Sequence, residues 1–176
     1  MRLSPTSYLV LGLIGLRGPS TPYELKRAAG RSVSYFWQFP HSQLYSEPER
    51  LAKEGLLAVE REDGGRNRKT YALTDAGRRA LHDWLQAPNA ELPETRDLAL
   101  LQLFFSEFLD RDEVAALART QVATHQARLR VYESIEEELK KRPARGRRNA
   151  PLRYGILMEK ALTEFWAGIA EDPPEP

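Results

Sequence analysis

No cysteine occurs anywhere in the chain, which excludes disulfides, thiolate metal sites and cysteine nucleophiles together. Packing alone must hold the fold. Long apolar runs are also missing: the stretch Leu9 to Ile14 falls far short of the ~20 residues that a bilayer span requires. A single basic residue precedes Pro5, a poor start for a signal peptide, so the expected location is cytoplasmic. Histidine is scarce, with three residues, and His41, His82 and His125 form no His-x-x-x-His or His-Glu-x-x-His pattern. Zinc is therefore not expected, and neither is any other metal. A Gly-rich phosphate loop after a strand is lacking too, and Glu136-Glu137-Glu138 points to several sides of one helix. These gaps argue against an enzyme, and no cofactor or catalytic residue is expected.

What is present suits a globular protein: 176 residues, 41% hydrophobic and 29% charged, enough for one or two small domains. The net charge of +1 hides an asymmetry. Residues 1–86 hold 13 Lys/Arg against 9 Asp/Glu, and residues 87–176 hold 13 against 16. The basic half comes first, a mild nucleic-acid signal because a polyanion needs positive charge gathered on one face.

Ser4-Pro5 opens a first helix running to about Arg17, which Gly18-Pro19 breaks. Thr21-Pro22-Tyr23-Glu24 reads as a capping box for a second helix that ends at Gly30. After the aromatic stretch Tyr35 to Phe39, a third helical pattern turns Leu44 and Leu51 inward and stops at Gly55. The period then changes to two. Leu57 to Arg61 and Lys69 to Leu73 alternate around Asp63-Gly64-Gly65, predicting a hairpin with a basic tip. Thr74-Asp75 caps a fourth helix ending near Gln86. Three helices, a hairpin and a helix in that order predict a winged helix-turn-helix over residues 1–86, with a linker at 87–93.

Beyond the linker the expectation is an all-helical region, residues 94–170, with a frayed tail at 171–176. It comprises a Leu- and Phe-rich helix from Arg96 to Leu109, a long helix launched by Asp110-Arg111-Asp112-Glu113 and reaching about Lys141, and a last helix starting at Pro151. The cluster Arg145 to Arg148 lies in a basic loop that could reach DNA, with disorder the favoured expectation. An apolar stripe longer than its own neighbours can cover points to a partner chain, hence a homodimer.

The front half resembles the PadR family of bacterial transcriptional regulators. The carrying residues are Leu3-Ser4-Pro5-Thr6-Ser7-Tyr8, Pro22-Tyr23-Glu24-Leu25, Phe36-Trp37, Gln43-Leu44-Tyr45, Arg50 to Leu57, Lys69 to Gly77 and Trp84-Leu85. The resemblance implies a repressor of double-stranded, pseudo-palindromic operator DNA, released by a small aromatic effector held between the DNA-binding module and the dimerising helices. Tyr8, Phe108 and Trp166 are the candidate wall residues, although aromatics at helical spacing are most often core. The chain departs from the family pattern at Pro48, since the usual proline directly follows the tyrosine and a leucine takes this place. A helix starting near Ser42 would lose its bond to the Leu44 carbonyl there, at about 3 kcal/mol. A start at Ser46 or Glu47 would put Pro48 in the permitted first turn. Either way a local distortion is expected between Leu44 and Pro48.

In a helix-turn-helix the second helix of the pair enters the major groove, which makes His41, Ser42, Gln43 and Tyr45 candidates for base readout. Ser42 could instead merely cap the helix, and Tyr45 could contact phosphate or pack beneath it. Arg50 and Lys53 lie further along, better placed for phosphate. The wing tip Arg66-Asn67-Arg68-Lys69 is expected at the flanking groove or phosphates. Lys26, Arg27 and Arg31 add either backbone contacts or plain solvent exposure. Two other functions fit the same elements: a winged-helix protein-interaction module, and a small-molecule-sequestering protein without an operator.

Overall fold

The structure, a computed structural model, describes residues 3–61, 68–94, 96–141 and 146–175, with the backbone alone for 146–148. Within them the chain is mainly helical and divides into two compact units, Met1–Glu91 and Leu92–Pro176. The division falls inside the expected linker.

Unit one begins with α1 (Pro5–Arg17), whose N-cap Ser4 exchanges side-chain and backbone bonds with Ser7. Gly18 ends it at φ 88°, a conformation that costs glycine nothing. In α2 (Pro22–Gly30) the Thr21/Glu24 capping box forms as the sequence predicts. A 3-10 turn, Val33–Tyr35, leads to α3 (Gln43–Lys53), and Gly55 at φ 74° turns the chain into the hairpin. Strands β1 (Leu57–Arg61) and β2 (Lys69–Leu73) pair antiparallel, with Leu57 opposite Leu73 and Arg61 opposite Lys69. Residues 62–67, the wing tip with Arg66 and Asn67, lie outside the described residues. Ser20 and Tyr71 exchange two backbone bonds of 3.0 Å, tying the α1–α2 turn to the free edge of β2. Thr74 caps α4 (Asp75–Gln86) and its hydroxyl also donates to the carbonyl oxygens of Gly55 and Leu56.

The core of this unit packs Val10, Leu11, Leu13 and Ile14 of α1 against Leu25, Ala28 and Ala29 of α2, Leu44 and Leu51 of α3, and Leu57 and Tyr71 of the hairpin. Such burial, at ~25 cal/mol per Å² of apolar surface, is what orients α3.

Two alternatives for α3, a later start and a Ser42 cap, are excluded. The helix starts at Gln43 and runs through Pro48 to Lys53, so the later start at Ser46 or Glu47 does not occur. Pro48 faces inward with Leu44 and Leu51, one apolar stripe at helical spacing, so its ring gains burial that offsets the single absent backbone donor. Ser42 makes no side-chain cap bond. The first turn is held instead by tight i→i−3 bonds, Gln43 to Pro40, Leu44 to His41 and Tyr45 to Ser42.

Unit two holds α5 (Leu98–Phe104), a 3-10 turn (Ser106–Phe108), α6 (Arg111–Lys140) and α7 (Gly146–Glu171). The helix expected from Arg96 to Leu109 is shorter, because Asp97 accepts bonds from the amides of Ala99 and Leu100 and so fixes the start, while the last turn tightens to 3-10 after Phe105. Asp110 and Glu113 form the expected capping box on α6. The last helix begins at Gly146 and not at Pro151, which sits inside it; one proline removes one ladder bond, and the rest of the turn carries the helix backward past it. Of the basic cluster, Arg145 lies outside the described residues, and from Gly146 the backbone is already helical. The tail is tethered, against expectation: the Asp172 and Glu175 carboxylates pair with Arg111, and Pro173 is buried.

Helices α6 and α7 pack side by side, and Trp166 is fully buried with Ala99 and Ala118, flanked by Leu103, Val122, Ile169 and Ala170. A polar clasp joins the pair: the Glu159 carboxylate, 8% exposed, meets His125 Nδ1 at 2.7 Å and Arg128 Nε at 3.1 Å. No described helix is long and apolar enough to cross a membrane. Among the described residues no group of three His, Cys, Asp or Glu side chains could hold a metal ion.

Candidate nucleic-acid interface

Burial of Leu44, Pro48 and Leu51 leaves the opposite face of α3 outward. His41 and Ser42 in the preceding turn are exposed, as are Gln43, Tyr45, Ser46, Glu49 and Lys53 along the helix. Tyr45 is 48% exposed, so it does not pack beneath the helix. The Gln43 amide is oriented by α1, since Thr6 Oγ1 donates to its Oε1 at 2.7 Å. His41 stands edge-on to Phe39 at 5.3 Å. Four of the expected readout residues thus share one accessible region.

The base of the wing joins this face. Lys69 Nζ lies 3.4 Å from Glu49 Oε2, and Lys53 Nζ lies 4.0 Å from Glu49 Oε1, so one carboxylate sits between two cations from different elements. Arg68 reaches α2, with Nη2 at 3.6 Å from Glu24 Oε1. Glu24 already accepts from the Thr21 amide and hydroxyl, and the Thr21 bonds, the amide's first, hold its carboxyl below the ordinary carboxylate range. Lys26 and Arg31 are exposed at the end of α2, and Arg27 lies over the Tyr23 ring.

Arg50 is differently placed from the other cations. Its Nε and Nη2 fork onto Glu47 at 3.0 and 2.5 Å, its Nη1 donates to Glu54 at 2.6 Å, and Nη2 also reaches Ser7 Oγ at 3.0 Å. The Glu47 carboxyl is held below the ordinary range, first by its bonds from Arg50, against the opposing effect of burial, and further by the Ser7 hydroxyl. Sequence reading placed Arg50 by its distance from the helix start and passed over Ser7, Thr6, Glu47 and Glu49. The available signal was the Glu47/Arg50/Glu54 spacing of three and four residues on one helix face.

The three residues proposed for an effector wall have dissimilar settings. Tyr8 belongs to unit one and stacks on Trp84 with centroids 4.6 Å apart and planes 7° from parallel. In unit two Phe108 is 87% exposed, whereas Trp166 is completely buried with its indole Nε1 making no hydrogen bond among the described residues.

Comparison with known proteins gives two family matches: residues 10–83 match the transcriptional regulator PadR-like family, and residues 95–168 match the virulence activator alpha C-terminal family. The chain is 33% identical over 135 residues to the negative transcriptional regulator PadR of Bacillus subtilis strain 168, which covers 75% of this chain and 73% of the relative. The crystal structure of Bacillus subtilis PadR in complex with operator DNA matches with a TM-score of 0.85 at 26% identity, covering 96% of this chain and 98% of that one. The structure of the same protein with p-coumaric acid has the same fold, with a TM-score of 0.80 at 24% identity, covering 96% of this chain and 97% of that one.

Proposed function

Because this chain belongs to the PadR-like family of transcriptional regulators, we propose that it binds duplex operator DNA, with α3 in the major groove and the wing beside it. The observation that carries this reading is the exposed face of α3 continued by the wing base, where Lys53 and Lys69 stand on either side of Glu49. His41, Ser42, Gln43 and Tyr45 face base edges in this arrangement, and Gln43 can pair with adenine through its amide. Lys53, Arg68 and Lys69 serve phosphates, joined by Arg66 and Asn67 of the tip and by Lys26 and Arg31 on the flank.

The active form is a homodimer on a pseudo-palindromic site. Support comes from unit two, where Leu98, Leu101, Phe104 and Phe108 are more than half exposed, as are Tyr154 and Leu157 on α7, an apolar surface that a second copy would cover. Two recognition helices then meet half-sites about one DNA turn apart, roughly 34 Å. The protein acts as a cytoplasmic repressor released by a small aromatic molecule, a reading supported by the operator and p-coumaric acid complexes solved for the Bacillus subtilis relative.

Selection from a random-sequence duplex pool by the purified protein tests the core of this. A recovered inverted repeat, with Gln43→Ala relaxing preference at one position and Arg68→Ala weakening all duplexes alike, is the expected result. Recovery of no preferred duplex would reject it. Aromatic acids that quench tryptophan fluorescence without loosening the selected duplex would favour sequestration of a small molecule over regulation by one.

A further inference from the structure

The opening turn of α1 grips α3 at two points. Thr6 donates to Gln43, and Ser7, fully buried although polar, donates through Oγ to Glu47 Oε1 at 2.6 Å. Ser7 Oγ in turn accepts from the Ser4 amide at 2.9 Å and from Arg50 Nη2 at 3.0 Å, and lies 3.0 Å from Ser4 Oγ. The Glu47 side chain is 13% exposed and takes the fork of Arg50, while Glu54 takes the other terminal nitrogen. A phosphate could recruit Arg50 only by stripping Glu47 of its counter-charge, and a carboxylate that deep in the protein is costly to leave unpaired.

We infer that Arg50, though basic and on the recognition helix, is a positioning residue: with Glu47 and Ser7 it locks α3 to the first turn of α1 and so sets where Gln43 and Tyr45 stand. The clamp straddles the point at which Pro48 removes a backbone bond from the helix, so side-chain bonds from Glu47, Arg50 and Glu54 stiffen the segment the proline weakens. Thr6, next to Ser7, carries the same anchorage to the Gln43 amide. This inference rests on the reading of α3 as the DNA-contacting helix.

The test uses full-length protein, a duplex selected by the wild type from a random pool, and a random duplex, each titrated across a salt series at temperatures where circular dichroism shows every variant folded. Arg50→Gln, Arg50→Lys and Ser7→Ala should each weaken the selected duplex about tenfold, an ordinary coupling for residues in one network, and leave the random duplex and the salt slope unchanged. Lysine fails to rescue because it keeps the charge and loses the fork. Lys53→Gln, the control, should weaken both duplexes and flatten the slope by about 0.9 for each phosphate no longer neutralised. If Arg50→Gln behaves like Lys53→Gln, or if Arg50→Lys binds like wild type, Arg50 is a phosphate ligand and the inference is wrong. If the Arg50 variants lower Tm but keep full affinity for the selected duplex, the network only supports the fold and the inference is equally wrong. Failure of the unsubstituted protein to select any duplex would overturn the DNA-binding reading itself, and is recognised before any variant is made.

Discussion

Glu49 is the acidic residue on a face proposed to meet phosphates, and replacing it with glutamine should tighten DNA binding. Its carboxylate is 3.4 Å from Lys69 Nζ and 4.0 Å from Lys53 Nζ, and the side chain is half exposed. Two effects add. A phosphate docked on either lysine lies about 7 Å from the carboxylate, where like charges repel by about 0.6 kcal/mol in water. Releasing the lysines from a partly exposed ion pair removes a competitor worth about 0.2–1 kcal/mol. Together these amount to about 1 kcal/mol per chain, or about a fivefold gain at low salt. The fold should lose no more than the ion pairs contribute, less than about 1 kcal/mol. Titration of random and selected duplexes across a salt series reads the effect, and both should bind more tightly, with a steeper salt dependence. If Glu49→Gln weakens the selected duplex and leaves the random one unchanged, the carboxylate is accepting a hydrogen bond from a cytosine and the electrostatic reasoning fails.

The glycines of the two helices that flank the core should respond oppositely to alanine. A Cβ on Gly77 would overlap the Leu56 carbonyl oxygen and lie 3.0 Å from Leu73 Cδ1, so Gly77→Ala should cost about 3 kcal/mol or more, whereas Gly12, with open space around it, should gain about 0.5–1 kcal/mol. Urea midpoints with unchanged m-values measure both, and similar midpoints for the two variants would contradict the packing. Since the folded-state Glu47 carboxyl is depressed, chiefly by Arg50, its contribution is complete above the ordinary carboxylate range and is lost as pH falls from there through the lower folded-state value. The wild type should therefore lose more stability on acidification than Arg50→Gln, and parallel pH profiles would count against the pairing. In unit two, Glu159→Ala leaves His125 and Arg128 without their shared acceptor and should lower stability by about 2–3 kcal/mol; a change below about 0.5 kcal/mol by denaturant titration would mean that water replaces the clasp.

Local chemistry was readable from the residues. Ser4, Thr21, Thr74 and Asp110 all cap the helices their positions announce, and both strands begin and end where the two-residue alternation does. Each of these is decided within four or five residues. What escaped is decided over longer range. The pairing of Arg50 was hidden because one of its partners, Ser7, lies 43 residues away, and nothing in a helical pattern shows that a serine from another helix accepts from its guanidinium. Pro48 left a later start for α3 open because the rule for proline counts the lost bond and not the burial its ring gains between Leu44 and Leu51. Pro151 misled in the same direction, as a start signal that the preceding turn overrode. At Pro48, which faces the core, tertiary packing outweighs a local preference of about 3 kcal/mol, whereas Pro151 is exposed and gains no such burial.

The charge balance acquires a different meaning once the pairs are known. An excess of cations in residues 1–86 suggests a surface ready for polyanions, but Arg50 is engaged by Glu47 and Glu54, Arg68 faces Glu24, and Lys53 and Lys69 share Glu49. Phosphates must compete with carboxylates for the outer three. That competition lowers affinity for any duplex by a similar factor, because phosphates look the same in every sequence, and it leaves hydrogen bonds to base edges untouched. An interface that supplies its own counter-ions therefore weakens all binding alike and keeps its discrimination. If the proposed dimer forms, this weakness of one module makes occupancy of an operator depend on two modules held together.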